Sequence, residues 1–248
     1  PQIENPNSIT HKLIWNIFED KQRRLWFGTG NGLTLYENDN SFKFQPIFPE
    51  PENPNGLKTG RIWEFVQQQN GTIWMGSNHG FYKIIEEDDD IRFQHFGHDP
   101  NNSNSLSHPF IEDLFVDEND HLWAGTWQGG LNEIILPKNE NDSIKFIHYR
   151  HNPNEKNSIS SDMVKTILKD KSGILWTGTS GGLDKISPSS QKFKTIAHIP
   201  NRLSSLSENI IKCVFQLFKS AAQRCVLPGL GQIVLKLFLV LSEVLLQR

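Results

Sequence analysis

A Leu/Ile-Trp-x-Gly-Thr/Ser motif that occurs four times, an apolar anchor that occurs five times, and Gly, Pro and Asn punctuation between short β-prone runs together predict an all-β chain. The motif copies are LWFGTGNGL from Leu25, IWMGSNHGF from Ile73, LWAGTWQGGL from Leu122 and LWTGTSGGL from Leu175. Their tryptophans, Trp26, Trp74, Trp123 and Trp176, stand 48, 49 and 53 residues apart. A fixed period near fifty residues with several strands per unit specifies a β-propeller of four-stranded antiparallel blades rather than a helical solenoid.

Each unit opens on an anchor, Ile9, Leu57, Leu106, Ile159 or Leu206, followed five residues later by a second aliphatic, Ile14, Ile62, Ile111, Val164 or Ile211. The first strand is then IWNIFED, IWEFVQQ, IEDLFVD, VKTILKD and, in part, IKCVFQ, all rich in β-branched and aromatic residues. A tight turn needing positive φ follows, with Gly71 or Gly173 in two copies, Asp120 in a third and Arg23, a poorly suited residue, in the first. The second strand is the tryptophan motif, where Trp and the Gly two residues on share a face, so the Gly leaves room for the indole or for a side chain of a neighbouring sheet. GLTLYE, GFYKIIE, GLNEIIL and GLDKIS supply the third strand, and FKFQPI, IRFQHF, IKFIHYR and KFKTIAH the fourth. Connections such as PENPNG and DPNNSNS carry loop chemistry.

The expected blades run about 8–50, 57–99, 106–151 and 159–199, with part of a fifth at 206–216. Residues 217–248 break the pattern and read as an out-of-frame or helical tail. Its apolar run is interrupted by Lys236 and Glu243, too soon for a membrane span. The opening PQIENPNSIT has neither a Met nor a signal peptide, and the chain is expected to be a piece of a longer polypeptide.

Charge and composition exclude several classes. Against 28 acidic residues stand 25 basic ones, a net charge of −3, which offers no footprint for nucleic acid. Cys213 and Cys225 are the two cysteines, and no His cluster has metal-ligand spacing, so neither a metal nor any other cofactor is expected. The run EEDDD, Glu86 to Asp90, lacks the spacing of a calcium loop and reads as a solvated loop. His95, His98, His108 and His121 read as surface residues.

The unit SISSDMVKTILKDKSGILWTGTSGGLDKI resembles the two-component regulator propeller repeat. The resemblance rests on the Ser-Leu/Ile anchor, the Asp-x-x-Gly turn, the tryptophan strand and the following Gly-Leu/Phe, and it covers residues 8 to about 216. It implies an incomplete propeller, part of a seven-bladed one, from the periplasmic sensor region of a bacterial hybrid histidine kinase. Membrane attachment, kinase and phosphorelay parts would lie outside this sequence. Departures are DKQRRLW in the first turn, Gln68 in place of Asp, and an extra residue in TWQGGL.

Candidate ligand contacts are the variable turns between second and third strands, Asn31, His79, Trp127 with Gln128, and Ser180, because propeller turns and inter-blade connections share one face. The alternative for them is plain solvated turns. Trp15 and Trp63 stand where other copies carry Glu112, Lys165 and Lys212, so they are not deep core. They suit an aromatic platform for sugar rings or a contact to another subunit of a homodimer, with packing under a connection as the alternative. A polar row follows them, Asn16, Glu64, Asp113 and Thr166, placed to line the axis or cap strand ends. No catalytic constellation is present, and the resemblance implies sensing of an oligosaccharide or similar extracellular signal. A protein-interaction scaffold and a propeller glycoside hydrolase or lyase are the alternatives.

Overall fold

The computed structural model describes residues 8–36, 44–87, 90–137, 143–186 and 192–214. The tail from 217 onward and Cys225 lie outside the described residues. Blade one holds β1 (Ile14–Glu19), β2 (Leu25–Thr29), β3 (Leu33–Tyr36) and β4 (Phe44–Ile47). Blade two holds β5 (Ile62–Gln67), β6 (Ile73–Ser77), β7 (Gly80–Glu87) and β8 (Asp90–Phe96). Blade three holds β9 (Ile111–Val116), β10 (Leu122–Thr126), β11 (Leu131–Ile135) and β12 (Lys145–Tyr149), and blade four β13 (Val164–Lys169), β14 (Leu175–Thr179), β15 (Leu183–Ile186) and β16 (Phe193–Ile196). Each blade is an antiparallel meander in chain order, and the blades stack one on the next through their first strands. The all-β propeller architecture is therefore present.

The motif glycine and the aliphatic five residues after the anchor are two halves of one joint. A Cβ built on Gly76 would lie 2.8 Å from Ile111 Cγ2, one on Gly125 2.9 Å from Val164 Cγ1, and one on Gly178 2.6 Å from Ile211 Cγ2. On Gly28 it would meet the Ile62 carbonyl oxygen at 2.5 Å. Each second strand is thus indented to receive the next blade's first strand. Repeat five follows suit, since Ile211 N–H also donates to the Thr179 carbonyl at 2.8 Å. Ile14, the counterpart in blade one, is 40% exposed.

The tryptophans fasten the opposite end of each blade. Trp26 Nε1 donates to Asp20 Oδ2 at 2.9 Å and Trp176 Nε1 to Asp170 Oδ2 at 2.7 Å. Gln68 replaces the carboxylate without losing the bond, accepting from Trp74 Nε1 at 2.9 Å while its own amide donates to the Asp120 carbonyl of blade three at 3.1 Å. Blade three differs: Lys169 takes Asp117 Oδ2 at 2.7 Å, and the buried Trp123 N–H has no partner among the described residues. Arg23 (φ 68°) and Asp120 (φ 61°) adopt the left-handed conformation that Gly71 and Gly173 adopt in the other copies.

One expectation needs correction. The acidic run is not wholly a loop: β7 and β8 extend into it, with Glu87 opposite Asp90. Arginines neutralise it, Arg24 bridging Glu86 at 2.8 Å and Arg92 reaching Asp90 at 2.9 Å and Glu87 at 3.2 Å. His98 is exposed in its loop, as expected of a surface residue, and its Nδ1 also donates to the carbonyl of anchor Leu106 at 2.6 Å. His151 and His198 do the same for anchors Ile159 and Leu206, at 2.8 and 2.6 Å. A histidine eight residues before the anchor therefore closes the connecting loop in three repeats.

Candidate functional site

The strand register explains why four unlike side chains occupy one rim. Along β1 the pairing with β2 steps from Ile14 opposite Thr29 to Asn16 opposite Gly28, leaving Trp15 unopposed. The same skip isolates Trp63 in β5, Glu112 in β9 and Lys165 in β13. A bulge re-aims its extra residue and breaks alternation. The next residue of each strand, Asn16, Glu64, Asp113 or Thr166, then sits beside the adjacent blade.

The bulge residues of blades one and two join aromatics of blade three in a ladder. Trp15, 53% exposed, meets Trp63 edge-on at 5.8 Å between ring centres. Trp63 stacks on Phe110 at 4.7 Å, and its indole N–H donates to the Ile111 carbonyl at 2.9 Å, which fixes the ring across the blade boundary. Phe110 meets Trp127 at 5.7 Å, and Trp127, 38% exposed, lies under Lys165 with Nζ 4.9 Å from the ring centre. Lys165 is 3.9 Å from Glu112. Burial pushes the Glu112 carboxyl up, against the opposing pull of that ammonium.

Beneath the rim the polar row links blade to blade. Asn16 Nδ2 donates to the Trp63 carbonyl at 3.0 Å and to Glu64 Oε2 at 3.3 Å. Asp113 Oδ2 accepts from Ile167 N–H at 2.6 Å, and Thr166 Oγ1 from Val214 N–H at 3.4 Å. Asn16 thus caps a backbone carbonyl, and Asp113 and Thr166 cap backbone donors, of the next repeat. Enclosure by the inner strands raises the Glu64 carboxyl to about 7, and raises Asp113 as well, with the neighbouring Glu64 charge adding to the effect.

Of the residues singled out from sequence, the structure gathers Trp15, Trp63 and Trp127 into this ladder. Gln128 is exposed beside Trp127. The remaining three are tied down elsewhere: Asn31 packs on Gly60 of the second repeat, while His79 stacks on His95 of its own blade with ring centres 5.5 Å apart and Ser180 Oγ bonds Ser161 Oγ of its own repeat at 2.7 Å. Phe110 was missed, although it directly precedes the joint residue Ile111. A separate cleft of about 1000 Å³ between blades two and three, lined by Gln68, Trp74, Lys83 and Glu133 among others, opens at the opposite, Asp-turn end. Among the described residues no group of three or more His, Cys, Asp or Glu is gathered to hold a metal ion, and no helix is long and apolar enough to cross a membrane.

The family model "two component regulator propeller" matches residues 8–31, which carry the first anchor and the first tryptophan strand. Residues 8–31 thus match the two-component regulator propeller repeat that the sequence resembles. No curated protein matches the chain. Among solved structures, it is similar to the extracellular domain of the candidate hybrid two component system BT3049 of B. thetaiotaomicron, at 21% identity over 76% of this chain and 25% of that one, with a TM-score of 0.62. PorZ, a surface component of the type-IX secretion system of Porphyromonas gingivalis, is 17% identical over 81% of this chain and 29% of its own, with a TM-score of 0.61. Virginiamycin B lyase of Staphylococcus aureus is 16% identical over 79% and 59%, with a TM-score of 0.50. At these identities the likeness is one of fold. The chain spans about a quarter of the length of the first of these structures.

Proposed function

We propose that the chain is the ligand-recognising part of an extracytoplasmic, periplasmic sensor, which binds an oligosaccharide across the bulge rim and passes the signal to a kinase region outside this sequence. The observation that carries this reading is the ladder Trp15–Trp63–Phe110–Trp127, in which three tryptophans from three blades expose ring surface at one mouth. Sugar rings offer apolar faces that stack on such aromatics, and their hydroxyls find Glu112, Lys165 and Gln128 nearby. The repeat family supports the signalling role. A ligand lying across several blades favours one blade arrangement over another, and that differential affinity is what shifts a two-state equilibrium. The rim residues recognise the ligand without transforming it.

The test is titration of the full chain with an oligosaccharide panel, read by tryptophan fluorescence and thermal shift. At least one sugar is expected to bind, and Trp63→Ala to weaken it about thirtyfold, as removal of a central aromatic anchor does. No binding by any sugar, or a Trp63→Ala variant that binds like the parent, overturns the reading. Capture of a protein by the rim in a Trp63-dependent way would replace it with the scaffold alternative.

A further inference from the structure

We propose that the rim selects an oligosaccharide bearing an anionic substituent, a carboxylate or a sulfate, which is received by Lys165. This rests on the reading of the rim as a sugar site. Five bulge-equivalent positions follow one another around the mouth as Trp15, Trp63, Glu112, Lys165 and Lys212, so the rim is aromatic at one end and cationic at the other.

Lys165 is the informative member. Its side chain is only 17% exposed, yet its ammonium makes no direct hydrogen bond among the described residues. Its contacts are the face of Trp127 at 4.9 Å and Glu112 at 3.9 Å, the latter too long for a hydrogen bond. An ammonium carries three donors, and leaving them unmet in a partly enclosed site is unfavourable. Lys169 on the same strand shows the contrast: its ammonium meets Asp117 at 2.7 Å and Glu118 at 2.8 Å. Lys169 fastens two blades, whereas Lys165 is held in place by a ring and a distant carboxylate with its donors still available.

The position fixes the ligand's polarity along the rim. A sugar ring resting on Trp63 and Phe110 leads toward Trp127, where the next residue of the ligand comes within reach of the ammonium. An acceptor with full negative charge satisfies it best, since charge-assisted bonds are the stronger kind. Glu112 opposes this: it is the local negative charge that an incoming anion must tolerate, and it makes the site demanding rather than generally attractive to anions.

The experiment compares three oligosaccharides of equal length, one neutral, one containing uronic acid and one sulfated, titrated calorimetrically into the full chain and its Lys165→Met and Glu112→Gln variants. Lys165→Met keeps the apolar stem over Trp127. The parent is expected to bind one of the charged sugars about tenfold or more tighter than the neutral one, in line with a hydrogen bond to a charged group. The better of the two charged arms identifies the substituent. Raising salt from about 50 to 500 mM should erase that advantage while sparing the neutral sugar. Lys165→Met should abolish the preference and retain neutral binding, and Glu112→Gln should strengthen anion binding by about two- to fivefold, the worth of a partly exposed charge pair. Equal affinity for all three sugars in the parent, or a preference that survives Lys165→Met, overturns this inference and leaves the sugar reading standing. Absence of binding by every sugar overturns both.

Discussion

The joint between Gly76 and Ile111 allows the blade-stacking logic to be tested by its own coupling. Gly76→Ala places a methyl 2.8 Å from Ile111 Cγ2, 3.3 Å from Ile111 Cβ and 3.4 Å from Leu114 Cδ1, all inside a core where Ile111 is fully buried. Overpacking of that kind costs about 1–3 kcal/mol. Ile111→Ala on the opposite side removes the knob and leaves a cavity, a loss of about 2–5 kcal/mol. In the double variant the methyl introduced on Gly76 enters the space that the Ile111 Cγ2 vacates, so the 2.8 Å clash disappears and part of the cavity is filled. The two losses should therefore fall short of additivity by about 1–2 kcal/mol, within the range seen for residues in contact. Urea unfolding of the full chain and its three variants, followed by tryptophan fluorescence at constant m-value, measures the cycle. Additive losses within about 0.3 kcal/mol would refute the claim that glycine and aliphatic form one joint.

Three further outcomes follow from the geometry. Glu64, with its pKa raised from 4.5 to about 7, binds more protons in the folded than in the unfolded state between those values. Its contribution is therefore complete below about pH 4.5 and is lost as pH rises through 7. Asp113 acts with the same sign, so the urea midpoint should fall from about pH 5 to about pH 8, and Glu64→Gln should flatten that fall; an unchanged slope contradicts the assignment. Asp170→Ala strips Trp176 Nε1 of its acceptor and should cost about 1–3 kcal/mol in the same assay. Lys169→Met frees Asp117 Oδ2 to accept from the orphaned Trp123 N–H, so it should cost less than Asp117→Ala, which leaves both Lys169 and Trp123 without that oxygen; the reverse order contradicts the account of blade three.

Much of the blade could be read from local chemistry. Strand alternation in IWEFVQQ, the positive-φ turn at Gly71 and the Trp-x-Gly spacing are each set by residues within one unit, and repetition multiplies the signal. Gln68 shows the limit of such reading: judged against the usual Asp it looked like a departure, while the indole N–H requires only an oxygen acceptor, which the amide supplies. The recurrent histidine at 98, 151 and 198 was also visible as spacing, but its meaning depends on a carbonyl eight residues away that only loop closure brings near.

The site divides in the same way. Sequence alone established that Trp15, Trp63 and Lys165 occupy equivalent positions, because the repeat aligns them, and that a position accepting Lys is not deep core. It also determined the all-β blade and the glycine in each second strand. Tertiary structure alone decided that these positions are bulges, that Phe110 bridges Trp63 to Trp127, and that the Lys165 ammonium lies over Trp127 and 3.9 Å from Glu112. The physical reason is one of range. Backbone propensity and turn chemistry act within a few residues, whereas the rim joins side chains about fifty residues apart whose distances exist only once each blade's aliphatic has seated in the glycine of its neighbour.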